Sequence, residues 1–361
     1  MTKKNLHKKA LQEQAGVSQP ETINQNIIAT IKKRRQQKPT TQQLINRILE
    51  GDITALSRAI TLIESTNKSH SEQAHDVIKG CLPHANKSVR IGITGVPGVG
   101  KSTFIESFGK YLSKAGKKIA VLAIDPSSSI TKGSILGDKT RMEDLVKDTN
   151  VYIRPSPSGE SLGGVARKTR ETIILCEAAG FDTIVIETVG VGQSETAVHS
   201  MVDFFLLLKL AGAGDELQGI KRGIIEMADS IAINKADGEN IKAAKIAKVE
   251  FNRALHLYPV KDSAWQPKVL LCSALLDEGI DTVWKTIDTY VTQTKSNGYF
   301  DERRHEQNKF WLIETIKDQL HADFFNNVDI KKELKQQITL IEAQQTTPFA
   351  AAEYLLQLKT Q

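Results

Sequence analysis

Residues 89–103 read VRIGITGVPGVGKST, a β-branched run that leads into a glycine-rich loop and then into the helical stretch TFIESFGKYLSKAG. The loop satisfies the pattern G-x-x-x-x-G-K-[ST] between a predicted strand and a predicted helix, the context that gives the pattern its meaning. Glycines let the backbone wrap around phosphates with its N–H groups pointing inward, and the helix N-terminus favours anions. The stretch therefore predicts a phosphate-binding loop in an α/β fold.

Further short apolar runs alternate with helical stretches after this loop. They read KIAVLAID, VYIRP, DTIVIET, DFFLLLKL, DSIAIN and KVLLCSA. Runs that are buried on both faces and separated by helices are typical of a mainly parallel sheet with helices on both faces. We predict a P-loop domain over residues 87–295, a helical N-terminal extension over 1–86, and a C-terminal helical segment over 296–361.

Composition excludes several classes of protein. Of 361 residues, 40% are hydrophobic, which is enough to bury a core and argues against wholesale disorder. No apolar run approaches the ~18 residues of a membrane span, so we expect no membrane partner. Three cysteines without CxxC spacing fit reduced thiols and a cytoplasmic location, and argue against a disulfide framework or a zinc site.

The positive charge is concentrated near the N-terminus. Residues 1–90 hold 15 Lys plus Arg against 7 Asp plus Glu, whereas the rest of the chain holds 33 against 35. KKNLHKK and KKRRQQK are chemically able to contact nucleic acid or an acidic partner, but solvated helix faces in a mobile extension explain them better. We therefore predict no nucleic-acid partner. The basic start has no apolar run behind it, which argues against a secretory signal.

Within the loop, the residues expected to contact the phosphates of a nucleotide are Gly95, Val96, Pro97, Gly98, Val99, Gly100, Lys101, Ser102 and Thr103. Lys101 is expected to reach the β- and γ-phosphates and is also a candidate catalytic residue. Ser102 is expected to bind Mg²⁺, and Thr103 to contact the α-phosphate.

A second motif selects the base. Asn234, Lys235 and Asp237 follow the predicted strand DSIAI, about 135 residues after the phosphate loop. A carboxylate there can accept hydrogen bonds from N1–H and the exocyclic amine of guanine, and adenine lacks that pair of donors. Asn234 is expected to tie this loop to the phosphate loop, and the Lys235 stem to lie along the ring. Backbone N–H groups of Ser273, Ala274 and Leu275 supply a third base contact. Together these motifs predict a guanine nucleotide.

A third segment, ETVG, follows the predicted strand DTIVI. Gly190 is expected to donate its N–H to the γ-phosphate, and Glu187 to hold Mg²⁺ directly or through water. The alternative for Glu187 is a buried helix cap. Asp125 and Asp138 are further candidate Mg²⁺ ligands, and each has a helix-capping role as its alternative.

The groups that promote hydrolysis are less clearly marked. Gln193 is the candidate for orienting the attacking water, because phosphoryl transfer needs charge stabilisation and an oriented water more than a strong base. It is equally readable as an ordinary residue of a switch loop. Lys221, in GDELQGIKRG (214–223), is a second candidate, with a plain polar loop as the alternative. Arg154 and Arg167 are possible arginines for the phosphates, or partners in surface ion pairs.

These blocks together resemble the MeaB/ArgK family of GTPases: GITGVPGVGKST, AIDPSSSITKGSILGDKTRM, RPSPSGESLGGVARKTRE, IVIETVGVGQSE, GDELQGIKRGI, NKAD and NGYFDERRHEQ. The resemblance implies a GTP-hydrolysing chaperone that gates adenosylcobalamin loading or protection of an acyl-CoA mutase such as methylmalonyl-CoA mutase. It implies switch segments at 187–196 and 214–223, GTP or GDP with Mg²⁺ as ligands, and a homodimer formed by the C-terminal helices. Cobalamin is expected on the partner, because the chain lacks the Asp-x-His-x-x-Gly pattern.

Three alternatives remain at this stage. A protein kinase or ATPase linked to lysine, arginine and ornithine transport is an old label for such chains, but HRDxxxxN and DFG are absent from the sequence. A metallochaperone GTPase for a nickel enzyme favours clustered His or Cys, whereas the eight histidines are scattered. A binding scaffold that does not hydrolyse GTP is the third.

Overall fold

The computed structural model describes residues 39–65, 67–124, 142–155, 162–188, 194–212 and 222–358. Seven parallel strands form one sheet with helices on both faces, which confirms the predicted α/β class. The strands are β1 (Val89–Gly95), β2 (Ile119–Ile124), β3 (Val151–Arg154), β4 (Thr183–Thr188), β5 (Phe204–Leu210), β6 (Ser230–Asn234) and β7 (Lys268–Leu271). Their order across the sheet is β3-β2-β4-β1-β5-β6-β7. Every apolar run named above supplies one strand.

The helices in the described ranges alternate with these strands and then continue beyond them. They are α1 (Thr41–Leu49), α2 (Ile53–Glu64), α3 (Lys68–Cys81), α4 (Lys101–Lys114), α5 (Leu162–Ala178), α6 (Ser194–His199), α7 (Arg222–Met227), α8 (Ile241–Leu255), α9 (Ile280–Ser296), α10 (Tyr299–Asn326), α11 (Val328–Glu342) and α12 (Pro348–Leu358). No helix in these ranges combines the length and the apolar character needed to cross a bilayer.

Strand β4 shows how the sheet divides the core. Successive side chains of a strand point to opposite faces. Ile184 and Ile186 pack in a cluster with residues of α1, α2, α3 and α5, whereas Val185 packs on the other face with residues of α4 and α9. Strands buried on both faces have no polar side to expose, so each face requires a helical layer.

The N-terminal helices form part of that layer. Leu44, Ile48, Leu56 and Ile60 are at most 1% exposed, and they share one apolar cluster with Phe205 of β5. Full burial of each such side chain contributes about 1.5–3 kcal/mol. The described part of the N-terminal extension is thus helical and packed on the sheet, and its boundary at residue 86 stays a prediction.

Helix α10 packs on the sheet through its first half only. Phe300, Arg304, Gln307 and Trp311 are its buried residues, and their spacing of three and four positions places them on one helix face. Beyond Trp311 the apolar side chains are largely exposed, with Leu320, for example, 57% exposed. The second half of α10 therefore presents apolar surface that no other described part of the chain covers.

Buried ion pairs join the elements at the edge of the sheet opposite the phosphate loop. Arg90 of β1 donates to Glu177 of α5 at 2.9 Å, and Arg304 of α10 donates to Asp203 at 2.7 Å. All four side chains are less than 10% exposed. A buried charge requires such a partner, so these pairs fix how α5 and α10 sit on the sheet.

Candidate functional site

The phosphate loop lies where β1 ends and α4 begins. Gly95 is the last residue of β1 and Lys101 the first of α4. Val99 is fully buried beneath the loop. The loop is pressed against the sheet, since a Cβ on Gly95 would lie 2.7 Å from the Leu208 carbonyl oxygen of β5. The backbone thus turns at the carboxyl edge of the sheet, the usual ligand site of doubly wound α/β folds.

Lys101 points back into this loop. Its Nζ donates to the Gly95 carbonyl at 2.8 Å and the Val96 carbonyl at 3.4 Å. Burial lowers the pKa of Lys101, and the charges of Glu187 and Glu195 act against that shift. The ammonium therefore lies inside the loop with two carboxylates nearby. Anionic oxygens entering the loop are better acceptors for it than neutral carbonyls.

The next residues continue the first turn of α4. Ser102 is half-buried and Thr103 is exposed. Both lie at the N-terminus of a helix of 14 residues, where unpaired N–H groups and the helix dipole favour anions. This position suits the phosphate and Mg²⁺ roles predicted for them.

Asn234 joins three loops. It ends β6 and is 1% exposed. Its Nδ2 donates to the Val99 carbonyl at 2.9 Å, and its Oδ1 accepts from the Ala274 N–H at 3.1 Å. The Cys272 thiol also donates to Oδ1 at 3.7 Å. One buried amide thus holds the phosphate loop, the NKAD loop and the loop after β7 in one arrangement.

The other residues of these loops line the same edge. Lys235 is exposed, adopts a positive φ of 57°, and donates from Nζ to the Gly98 carbonyl at 3.0 Å. Asp237 is half-buried and accepts a hydrogen bond from the Ser273 hydroxyl. Leu275 is 78% exposed, and the base contact of its backbone N–H stays a prediction.

Two acidic residues lie beside the loop. Glu187, near the end of β4, is 8% exposed, and Glu195, in the first turn of α6, is 6% exposed. Glu195 was not a predicted site residue, because a glutamate in the first turn of a helix is an ordinary feature of sequence. Only the fold brings it near Lys101.

Several predicted residues fall outside the described ranges, namely Asp125, Asp138, Gly190, Gln193 and Lys221. Their roles stay predictions. Among the described residues, no group of three or more His, Cys, Asp or Glu is arranged to hold a metal ion.

The two candidate arginines are engaged in ion pairs away from the loop. Arg154 pairs with Glu64 of α2, and Arg167 pairs with Glu171 one helical turn along α5, at 3.2 Å. These pairs agree with the structural alternative considered for both arginines.

Another contact that the sequence did not indicate ties α4 to the loop after β7. Ser107 of α4 donates a hydrogen bond to Asp277, which has a positive φ of 57°. The helix that follows the phosphate loop is thereby linked to the loop predicted to contact the base.

Gly100→Ala is expected to destabilise the nucleotide-free protein more than Gly98→Ala. Both glycines have positive φ, 92° and 82°, so both substitutions carry the backbone penalty of about 1 kcal/mol. A Cβ on Gly100 would lie 2.8 Å from Asn234 Nδ2, whereas one on Gly98 meets nothing within 4 Å. Urea unfolding of both variants measures the difference. Equal losses of stability would show that Asn234 does not hold the loop.

The chain was compared with known proteins. Residues 56–329 match the family model described as methylmalonyl Co-A mutase-associated GTPase MeaB. The chain is 43% identical to GTPase ArgK of Escherichia coli over 309 residues, covering 86% of this chain and 93% of that protein. It is 43% identical to the mitochondrial methylmalonic aciduria type A homolog of Mus musculus, covering 87% of this chain and 78% of that protein.

A solved structure described as LAO/AO transport system kinase superposes with a TM-score of 0.72 at 36% identity, covering 90% of this chain and 99% of the other. The family match spans most of the chain, and the phosphate loop, the NKAD loop and all seven strands lie within the matched residues. The chain therefore belongs to the family of methylmalonyl-CoA mutase-associated GTPases, MeaB, and is a GTP-hydrolysing enzyme.

Proposed function

We propose that this GTPase binds GTP between the phosphate loop and the NKAD loop, and that it controls the loading or protection of adenosylcobalamin in an acyl-CoA mutase. The observation that carries the GTP site is the Asn234 side chain, which bonds the phosphate loop at Val99 and the third loop at Ala274. Motifs far apart in the sequence thereby meet at one edge of the sheet. In this proposal Asp237 and Lys235 contact guanine, and Lys101 contacts the phosphates.

In this proposal Lys101 exchanges its carbonyl partners, Gly95 and Val96, for phosphate oxygens. A cation in a water-poor loop stabilises the charge that develops on the transferred phosphoryl group, which is the main requirement of this chemistry. Gln193 and Lys221 are proposed to orient water and to stabilise charge, and Gly190 to donate to the γ-phosphate.

The residues present fit a Mg²⁺ ion. The hydroxyl of Ser102 and the carboxylate of Glu187 are hard oxygen donors of the kind that Mg²⁺ takes. Glu187 is buried and its charge acts on Lys101, which supports a position near the phosphate loop. We propose Ser102 and Glu187 as holders of the ion, with Asp125 and Asp138 as further candidates. When bound, Mg²⁺ would neutralise charge on the β- and γ-phosphates.

Support for the mutase as partner comes from the names of the family and its relatives. The family model carries the mutase in its description, and the mouse relative is named for methylmalonic aciduria. We propose that the cobalamin is held by the mutase and that the GTPase acts on the complex. An acyl-CoA mutase that uses adenosylcobalamin is therefore the proposed partner.

The mutase proposal predicts that the partner accelerates GTP hydrolysis. Phosphate release is measured with purified chain alone, with a cobalamin-dependent methylmalonyl-CoA mutase, and with an acyl-CoA enzyme that uses no cobalamin as the control. We expect faster GTP hydrolysis only when the mutase is present. Lys101→Ala should not hydrolyse GTP with either enzyme, because it lacks the ammonium expected to contact the phosphates. Unchanged turnover with the mutase would count against the partner while leaving the GTPase intact.

We also propose that the chain forms a homodimer through its C-terminal helices. Exposed apolar side chains follow one another along them: Leu312, Ile313, Ile316, Leu320, Phe325, Ile338, Phe349 and Leu356. Single exposed apolar residues are common on protein surfaces, whereas a series of them along neighbouring helices is typical of an interaction site. Light scattering should give twice the chain mass of 39.9 kDa. A mass of one chain at micromolar concentration would contradict this proposal.

The kinase alternative has one point in its favour, the description of the solved relative as a transport system kinase. We prefer the GTPase–mutase function because the sequence holds no kinase catalytic motif. The proposed contact with guanine, in contrast, explains the NKAD loop and its bond to Ser273. A nickel chaperone role has less support, since all three cysteines are buried.

A further inference from the structure

The first half of α10 holds a connector, residues 199–203, that ends α6 and leads into β5. Four side chains of α10 make these contacts: Arg303 with His199 (3.2 Å), Arg304 with Asp203 (2.7 Å), Gln307 with the Val202 carbonyl (2.8 Å) and Trp311 with the Ser200 carbonyl (3.1 Å). They span a little over two turns of one helix. Helix α10 thus contacts most of the short segment between α6 and β5.

The opposite end of α6 lies beside the phosphate loop. Glu195, in the first turn, is 6% exposed, and its charge acts on the ammonium of Lys101. Only four positions separate Glu195 from His199, about 6 Å along a helix. One short helix therefore extends from the neighbourhood of the lysine expected to contact the phosphates to the residues that α10 holds.

The two ends of the connector are fixed differently. Asp203 is bound to the sheet, since its carboxylate accepts from the Arg90 N–H and its own N–H donates to the Arg90 carbonyl, both at 2.8 Å. His199 and Ser200, in contrast, are tied to α10 by Arg303 and Trp311. A shift of α6 would accordingly alter the contacts of Arg303 and Trp311, while the pair of Arg304 with Asp203 stays with the sheet.

The contact between His199 and Arg303 is one between a neutral ring and a cation. Burial, reinforced by the charge of Arg303, lowers the pKa of His199 to about 4. Because a guanidinium only donates, the Nε2 atom of His199 is the acceptor. Arg303 also donates to the Tyr290 hydroxyl at 3.2 Å and lies 3.6 Å from Asp229. The arginine is therefore oriented by groups on α9 and at the start of β6.

Phosphate oxygens in the loop would change the electrostatic interaction between Lys101 and Glu195 at the N-terminus of α6. They compete with Glu195 for the ammonium of Lys101, and their negative charge repels the carboxylate. Building on the proposed GTP site, we propose that α6 and the connector transmit the nucleotide state to α10, so that the contacts of Arg303 and Trp311 with the connector depend on the γ-phosphate. Arg303 and Trp311 are positioning residues in this scheme.

Hydrogen exchange on the full chain, read by mass spectrometry, tests this transmission. Peptides covering 199–205 and 299–311 are compared with GDP and with a GTP analogue that is not hydrolysed, both with Mg²⁺. We expect the exchange rates of both peptides to differ between the two nucleotides. In Glu195→Gln that difference is expected to be lost, because the neutral amide is not repelled by the γ-phosphate. Glu226→Gln, an exposed residue of α7, serves as the matched control and should respond as the wild type does.

Tryptophan emission gives a second measurement. The indole of Trp311 donates to the Ser200 carbonyl, so the nucleotide-dependent change in emission should decrease in Trp311→Phe. Nucleotide affinity is titrated separately for every variant. An analogue that binds without altering either peptide or the emission would overturn the transmission alone. Absence of any binding would instead overturn the GTP site on which the transmission rests.

Discussion

Asparagine in place of Asp237 is expected to lower the affinity for GTP by about 10²- to 10⁴-fold and to raise the affinity for xanthosine triphosphate. The carboxylate is proposed to accept two hydrogen bonds from guanine, each worth about 1.5–3 kcal/mol when the acceptor is charged. Xanthine presents a carbonyl oxygen where guanine presents its amine, so the asparagine amide can donate to it. Asp237 is half-buried and bonded to Ser273, which keeps the side chain in one orientation.

Competition titrations with GTP, ATP and xanthosine triphosphate measure this change of base preference. Asp288→Asn, an exposed residue of α9, is the matched control and should leave all three affinities unchanged. A uniform loss of affinity for all three nucleotides would indicate a damaged loop and not a changed base contact. Retained preference for GTP in Asp237→Asn would contradict the placement of guanine at this residue.

Arg304→Met is expected to reduce the free energy of unfolding by about 3–5 kcal/mol, because it leaves Asp203 buried without its cation. Arg304 donates to both carboxylate oxygens of Asp203, at 2.8 and 2.7 Å, and to the carbonyls of Asn86 and Ser88. Burial alone would raise the pKa of Asp203, but the hydrogen bonds and charge of Arg304, with Arg90, hold it below its ordinary value.

Urea unfolding of the nucleotide-free protein measures this loss. Lys285→Met, which removes an exposed ion pair with Asp281, is the control and should have little effect on the free energy of unfolding. Adding Asp203→Asn to Arg304→Met should recover part of the loss, since the unpaired charge is then gone. Because the pKa of Asp203 is lowered in the folded state, the contribution of this pair is present above the ordinary pKa and declines as the pH falls through the folded one. A loss below 1 kcal/mol in Arg304→Met would contradict the importance of this ion pair.

The strands were predictable because local pattern decides them. Runs such as DFFLLLKL are too apolar to face water on either side, and they are shorter than a typical helix. A buried strand is therefore the simplest structure for them. The contacts of α10 were not predictable. DERRHEQ is readable as a helix, but Arg304 and Asp203 are 101 positions apart, and no periodicity in either segment indicates the pairing.

The candidate site likewise contains residues that the sequence predicted and residues that only the structure reveals. Asn234 and Val99 are 135 positions apart, yet the sequence predicted that their loops meet, because each loop follows a strand of one parallel sheet. Glu195 carries no such signal. Its closeness to Lys101 arises from the packing of α6 on the sheet, which depends on side chains distributed over several elements. Long-range packing of this kind becomes visible only in three dimensions.

The cluster shared by Leu44, Leu56 and Phe205 has a practical consequence for anyone trimming this chain. A fragment cut to the predicted enzyme boundaries, 87–295, would lose α1, α2 and α3, which form part of the helical layer on one face of its sheet, and would also lose Trp311. The valine, isoleucine and phenylalanine side chains that become exposed to solvent would cause the fragment to aggregate. Fusion partners and affinity tags are better joined upstream of residue 39, because α1, α2 and α3 and their apolar contacts with the sheet are then kept.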